Sequence, residues 1–467
     1  MKIFDIRNFG AVGDGKTDNA GTIQKAIDEC SSAGGGIVNI PANNTFISGP
    51  FNLKSNVELH LESNSKLLAN PDESVYTKSA FRENFGEGSI WIGGENEENV
   101  KISGEGIIDG NGIAFMGPEE KAAYILKDFD KFDRRPHIMT LVNFKDLELS
   151  GITFRNSAYW CLHLVGCNNV LIDGVRIFNN LKIRNSDGID IDHSRNVRIK
   201  NCYIESGDDC ICFKTRREYK ELGPTEDVVV SNCTMTSTSC SIKLGSENMD
   251  AIRNVIVKDC VIKSSNRGIG IQNRDEGKIE NIAFENISIE GRLFDDVWWG
   301  KAEPVYVTAY RRKSISEKDS NLRFAEGQTE GKVGEVRYIS LVNINCKSEN
   351  GIFVGGEENK ISGINFNNVH VEIEKKTGYK GGIYDLRPSD TIGLLNAGTS
   401  GFYISGAKDV SLKNCSVKWG KNKAPYYNNA LYASNVEDLK IENLSGEKAR
   451  NNVTPIKYEN CKNVLIK

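Results

Sequence analysis

The sequence predicts an all-β fold: a single-stranded right-handed parallel β-helix with an N-terminal capping helix and long loops on one face. Three observations carry that prediction. A unit recurs as "NVLIDGVRI" at Asn169, "NVRIKNCYI" at Asn196, "DVVVSNCTM" at Asp227, "NVIVKDCVI" at Asn254 and "NIAFENISI" at Asn281. Within each unit apolar residues take every second place, the pattern of a strand with one buried face. Glycine is abundant (45) and proline scarce (10), which suits many tight turns better than long helices. A unit this short cannot enclose a core alone, so neighbours must stack and share one. Propellers and sandwiches also use short strands, but propeller blades repeat at roughly 40 residues or more and carry signatures absent here.

The elements follow in order, and one domain over residues 1–467 is expected. Residues 1–45 form a cap, in which "TDNAGTIQKAIDECSSAGGG" supplies Thr17 or Asp18 as N-cap, Ile23, Ala26 and Ile27 at helical spacing, and a glycine stop. Such a helix would cover the open end of the first coil and hide its strand edges. Earlier units begin at Asn99 and Asp146, and later ones at Tyr338, Asp409, Asp438 and Asn463. Asn and Cys at equivalent turns are expected to stack into internal ladders. Two polar, aromatic stretches, about 111–135 and 291–335, break the repeat and are expected to project as functional loops.

Net charge is −4 and the pI is near 5.9, so no basic field for nucleic acid or anionic lipid exists. No apolar run approaches the roughly 20 residues that span a bilayer. The N-terminus lacks a leader pattern, so the chain is expected in the cytoplasm, or in the periplasm or outside the cell with a leader removed. The twelve cysteines show no paired metal spacing and read as reduced, buried thiols. Neither a metal nor a cofactor is expected, and oligomeric state is left open.

Chemistry concentrates in "IRNSDGIDIDHSRNVRIKNCYIESGDDCICFK". In a β-helix a residue one coil further on lies above its counterpart, so Asp187 would stand one rung from Asp208 and Asp209. Three carboxylates crowded on an outer face repel, and one should keep its proton near neutral pH. One protonated and one ionised acid are what glycoside hydrolysis needs. Paired acids also mark turns and cation sites. Asp190 and Asp192 are read as turn caps or solvent-facing groups without chemistry.

These motifs resemble glycoside hydrolase family 28, the polygalacturonase family. "FGAVGDGKTDNAGTIQKAID" resembles the opening of its members, and "NSAYWCLHLVGCNNVLIDGV" its N-S-P-x-W-x-x-H strand. "NSDGIDI" matches N-T-D-G with Ser for Thr, and "SGDDCICFK" matches G-D-D-C, the likeness running to about residue 290. The resemblance implies Asp208 as general acid, Asp187 and Asp209 holding and activating water, inversion at the anomeric carbon, and Asn185 orienting the first of these acids.

Two departures stand out. Cys240 takes the place of the family's G-H-G histidine, and Gly270 and Gln272 replace the Arg and Lys of its R-I-K motif, which grips a galacturonate carboxylate. Either the sugar held there is neutral, with Gln272 binding hydroxyls, or other cations substitute. Lys214, Lys243 and Arg274 are the candidates, although a solvated surface charge is the bland reading of each, as of Arg267. His163 is placed in the cleft. Of the adjacent Trp298 and Trp299, which would face opposite ways on a strand, at least one is expected to be exposed as a sugar platform.

A glycoside hydrolase acting on a pectin-related or other poly- or oligosaccharide is therefore expected, with the two insertions favouring attack from a chain end. A polysaccharide lyase using a metal and a basic Lys, and a carbohydrate-binding adhesin without activity, are the alternatives.

Overall fold

The computed structural model describes residues 2–82, 87–127, 133–312, 331–389 and 393–467. It divides into two compact units, Met1–Cys212 with Asp227–Cys233, and Phe213–Glu226 with Thr234–Lys467. Each is a parallel β-helix, and the right-handed sense follows from the crossover rule for parallel strands in one sheet.

In the first unit the helix Ala20–Ser32 buries Ile23, Ala26, Ile27 and Cys30. Asn19 is its N-cap residue without a side-chain cap bond, while Asp18 Oδ1 accepts from the Ala20 N–H at 2.7 Å. The expected capping acid thus works from one position further out. Strands Glu98–Gly104, Lys145–Ser150, Asn168–Asp173 and Arg195–Lys200 pair in parallel and in register, so Val100, Leu147, Val170 and Val197 align at 2 % exposure or less. Each such side chain contributes about 1.5–3 kcal/mol through burial. A second sheet runs through Asp133–Val142, Leu162–Val165 and Ile189–Asp192.

In the second unit Ile252–Ser265, Ile279–Gly291, Val336–Ser348, Ile361–Ile373, Ala407–Trp419 and Glu437–Gly446 stack in that order. Opposite them run Cys240–Asn248, Arg267–Asn273, Val305–Ala309, Ile352–Gly356, Phe402–Ser405 and Leu431–Ser434. Among the described residues no helix is long and apolar enough to cross a membrane.

The first residue of every repeat named above is left-handed, with φ between 51° and 62° from Asn99 to Asn463. Asn and Asp tolerate that region because their short polar side chains bond locally. Tyr338, at φ 57° and 63 % exposed, is the exception. The turn asparagines do form ladders, for example Asn343 Nδ2 to Asn286 Oδ1 at 2.9 Å and Asn368 Nδ2 to Asn343 Oδ1 at 2.8 Å. These ladders are exposed to solvent rather than internal, because the left-handed residue sits at the outside of the bend. All twelve cysteines are reduced, and eleven are buried.

The predicted insertions need revision. Residues 112–127 hold a 3₁₀ turn, Gly112–Phe115, and a hairpin of Glu119–Glu120 with Ile125–Leu126. The stretch 291–335 is not one loop, since Val305–Ala309 inside it is a coil strand paired with Ile269–Asn273. Its alternation was masked because Tyr306 and Thr308, on the opposite face to the valines, are buried too. Residues 128–132 and 313–330 of these insertions lie outside the described residues.

Candidate active site

The backbone builds the acidic site in the first unit before any carboxylate is placed. Gly188 N–H donates to Asp209 O at 2.8 Å, and Cys161 N–H donates to Asp187 O at 2.9 Å, which fixes Asp187 one coil from Asp208 and Asp209. Two glycines allow the coils to approach. A Cβ at Gly188 would meet Cys210 O at 2.4 Å, and one at Gly207 would meet Ile183 O at 2.2 Å and Ser186 Oγ at 2.6 Å. No side chain fits at either position.

Two serines lace these turns together. Ser206 Oγ bonds Ser186 O at 2.5 Å and Asp209 O at 3.1 Å, while Ser186 Oγ donates to Ile183 O at 2.8 Å and accepts from Gly207 N–H at 3.1 Å. Asn179 Nδ2 donates to Ser186 O at 2.9 Å and Asp187 O at 3.3 Å. Sequence reading missed this asparagine.

The result is one cluster: an oxygen from each of Asp187, Asp208 and Asp209 lies within 4.8 Å of the others. Asp187 and Asp209 are 2 % and 1 % exposed, while Asp208 is only partly buried and so has the most open carboxyl of the three. Asn185, left-handed at φ 58°, donates its backbone N–H to Asp208 Oδ2 at 3.1 Å. It therefore orients that acid through the main chain.

Asp190 and Asp192 are fully buried, contrary to the solvent-facing reading. Asp192 Oδ2 meets His163 Nε2 at 3.2 Å, and both side chains are fully buried. His163 also packs edge-on to Trp160 at 4.9 Å and against His137 at 5.7 Å, within a cluster that includes Phe81 and Tyr159. A histidine inside a buried aromatic nest is a scaffold for this wall rather than an open cleft residue.

Residues 30–297, which include the acidic motifs, match the family model of the glycosyl hydrolases family 28. The chain belongs to glycosyl hydrolase family 28. A probable polygalacturonase of Vitis vinifera is 34% identical over 287 residues, spanning 57% of this chain and 56% of that one, so about half of the grape protein's length is matched. An exopolygalacturonase of Zea mays is 28% identical over 400 residues, 82% of this chain and 90% of the maize protein. The solved family 28 exopolygalacturonase of Yersinia enterocolitica shares the fold with a TM-score of 0.68 at 19% identity, covering 99% of this chain and 78% of that one.

The second unit of this family 28 protein accounts for Cys240 and Gly270 as one packing change. A Cβ at Gly270 would meet Cys240 Sγ at 2.8 Å and Arg267 Cδ at 3.1 Å. The thiol and the Arg267 stem therefore fill the space above Gly270, and an arginine there has no room. Arg267 lies over the Tyr306 ring at 3.7 Å and pairs with Glu303 at 3.3 Å, with both partners at most 1 % exposed.

None of the candidate cations is a solvated surface charge. Lys214, Lys243, Arg267 and Arg274 are 3 %, 9 %, 1 % and 0 % exposed. Arg274 donates to Thr308 Oγ1 at 2.9 Å, Tyr306 Oη at 3.2 Å and Leu386 O at 3.2 Å, a structural role that withdraws it as a substrate contact. Lys214 meets Glu247 at 3.6 Å, and Arg312 clasps Asp275 at 2.9 Å. Burial pushes the Glu247 carboxyl up, but Lys214, Arg312, Arg216 and Lys243 outweigh it and hold it well below the usual range. Arg312 and Asp275 were missed because nothing in sequence shows two distant charges meeting.

Gln272 is 1 % exposed, and its Nε2 finds no protein acceptor among the described residues, so its burial withdraws it as a direct sugar contact. Trp298 is 2 % exposed and withdrawn as a platform, whereas Trp299 is 37 % exposed. The two lie in an irregular turn, so strand alternation does not govern them.

Proposed function

We propose that this protein hydrolyses glycosidic bonds of a pectic galacturonan by inverting acid–base catalysis, acting from a chain end. The observation that carries the reading is the trio of carboxylates within 4.8 Å of one another. At that separation two charges repel by about 3 kcal/mol at the effective dielectric of a protein site, which favours keeping one proton in the trio. Asp208, the most open of the three, is assigned as the acid that protonates the leaving oxygen. Asp187 and Asp209 hold water and take its proton.

Support for a uronate substrate comes from the second unit. Lys214, Arg216, Lys243 and Arg312 surround one half-buried carboxylate, Glu247. Lys214 and Lys243 are assigned as carboxylate-binding groups and Trp299 as a stacking surface. The maize relative, an exopolygalacturonase, supports attack from a chain end.

Stereochemistry is a sharp question. Carboxyl pairs about 5–5.5 Å apart usually mark retention, and pairs about 6.5–9.5 Å apart inversion. With three acids, two can hold the water while the third donates, so close spacing and inversion are compatible.

The test is digestion of polygalacturonate, rhamnogalacturonan and neutral glycans with reducing-end detection and proton NMR of the first product. The expected result is fastest release from galacturonan, the inverted anomer first, and no effect of a chelator. A chelator-sensitive product absorbing in the ultraviolet would replace hydrolysis by elimination, and cleavage of neutral glycans alone would remove the uronate assignment.

A further inference from the structure

Near the end of the chain the second unit carries an aromatic ladder on one sheet face. Tyr306, Phe353, Tyr403 and Tyr432 stand in register on successive strands, with ring centroids 5.5, 5.4 and 4.9 Å apart. Tyr384 and Leu386 pack against Tyr306 and Phe353 in one buried cluster, and both ladder residues are fully buried. The cover ends at Tyr403 and Tyr432, which are partly exposed and line a cavity of about 630 Å³ with Asn428, Asn452, Thr454 and Lys457.

Tyr432 has polar partners on its outer side. Its hydroxyl donates to Glu459 Oε2 at 2.9 Å, and Lys457 both pairs with Glu459 at 2.9 Å and lies 5.7 Å from the Tyr432 ring centre. Arg450 bonds Asn428 Oδ1 and Pro425 O beside the same cavity, and among the described residues it has no carboxylate partner. Two cations against one acid leave the rim net positive. The exposed edges of two phenol rings, amide and hydroxyl groups and a positive edge match a pyranose ring that carries a carboxylate.

We propose that this cavity binds a uronate-containing oligosaccharide, one ring packed against the exposed edges of Tyr403 and Tyr432 and its carboxylate at Lys457. The inference rests on reading the substrate as a pectic polysaccharide, and it gives the chain a holding site for polymer that performs no chemistry.

The test uses the full chain carrying Asp208→Asn, titrated calorimetrically with trigalacturonate and with its methyl ester. Two equivalents of trigalacturonate are expected per chain, falling to one when Tyr432→Ala is added and staying at two with Tyr432→Phe. Lys457→Ala, a change at an exposed side chain, should weaken the second event about tenfold for the acid and leave the ester unaffected. Unchanged stoichiometry in Tyr432→Ala with unchanged affinity in Lys457→Ala overturns the proposal, as does equal affinity of the parent protein for acid and ester. Tyr432-dependent binding by a chain that cleaves no pectic substrate would instead sink the proposed function and leave this site standing.

Discussion

Asp208→Asn should lower kcat on galacturonan by about 10²–10⁴ or more, the usual share of a general acid, while leaving the melting temperature unchanged. The reason for the split is geometric. Asp208 receives the Asn185 N–H through one oxygen, and an amide oxygen can accept the same bond. What the amide cannot do is surrender a proton to a departing sugar oxygen. A galacturonide with a good leaving group, which departs without protonation, should therefore recover much of the lost rate. Reducing-end release and circular dichroism on the same preparation check both halves. Full activity on polymer would refute the assignment, and a lowered melting temperature would show that the residue serves the fold.

Glu303→Ala should destabilise the second unit by about 3–5 kcal/mol, the usual result of leaving a buried charge without its partner. Glu303 is fully buried and holds Arg267 through two contacts of 3.3 Å, and it also accepts the Lys301 N–H at 2.6 Å. Burial, the largest influence, pulls the Arg267 guanidinium down, but Glu303 together with Tyr306, Cys240 and Asp385 outweighs it, and the net shift is upward. Arginine stays charged throughout the accessible range, so the loss should be nearly independent of pH. Urea titration at pH 5 and pH 8 checks that. Asp385 nearby behaves differently: burial raises its carboxyl, while the Arg387 hydrogen bond and charge bring it below the ordinary value. A depressed folded pKa means that its stabilisation is present above the unfolded value of about 3.9 and disappears as pH falls through the lower folded value. Asp385→Asn should therefore cost stability at pH 7 and progressively less in strong acid.

The fold was legible because its repeat is written in two independent signals. Alternating apolar residues give the strands, and an Asn or Asp opens nearly every coil because the bend requires a left-handed residue. Where one signal fails, the reading fails. The coil of Ile361–Ile373 was overlooked because Gly363, at φ 66°, stands where Asn or Asp usually does. Val305–Ala309 was overlooked because both its faces are buried and the contrast vanished. The three acids were legible because one coil of spacing is a geometric statement. The cations were not, since a lysine in a strand looks the same whether it faces water or a buried glutamate. Only register shows that Lys243 stands beside Gly270 and Gly245 beside Gln272.

Gly188 and Gly207 have a wider meaning. A carbonyl oxygen stands 2.4 Å or less from any Cβ added to either, so the approach of the coils that carry the acidic trio is set by the main chain. A side chain at either glycine would push these coils apart, so room for change lies in the walls and loops around the trio.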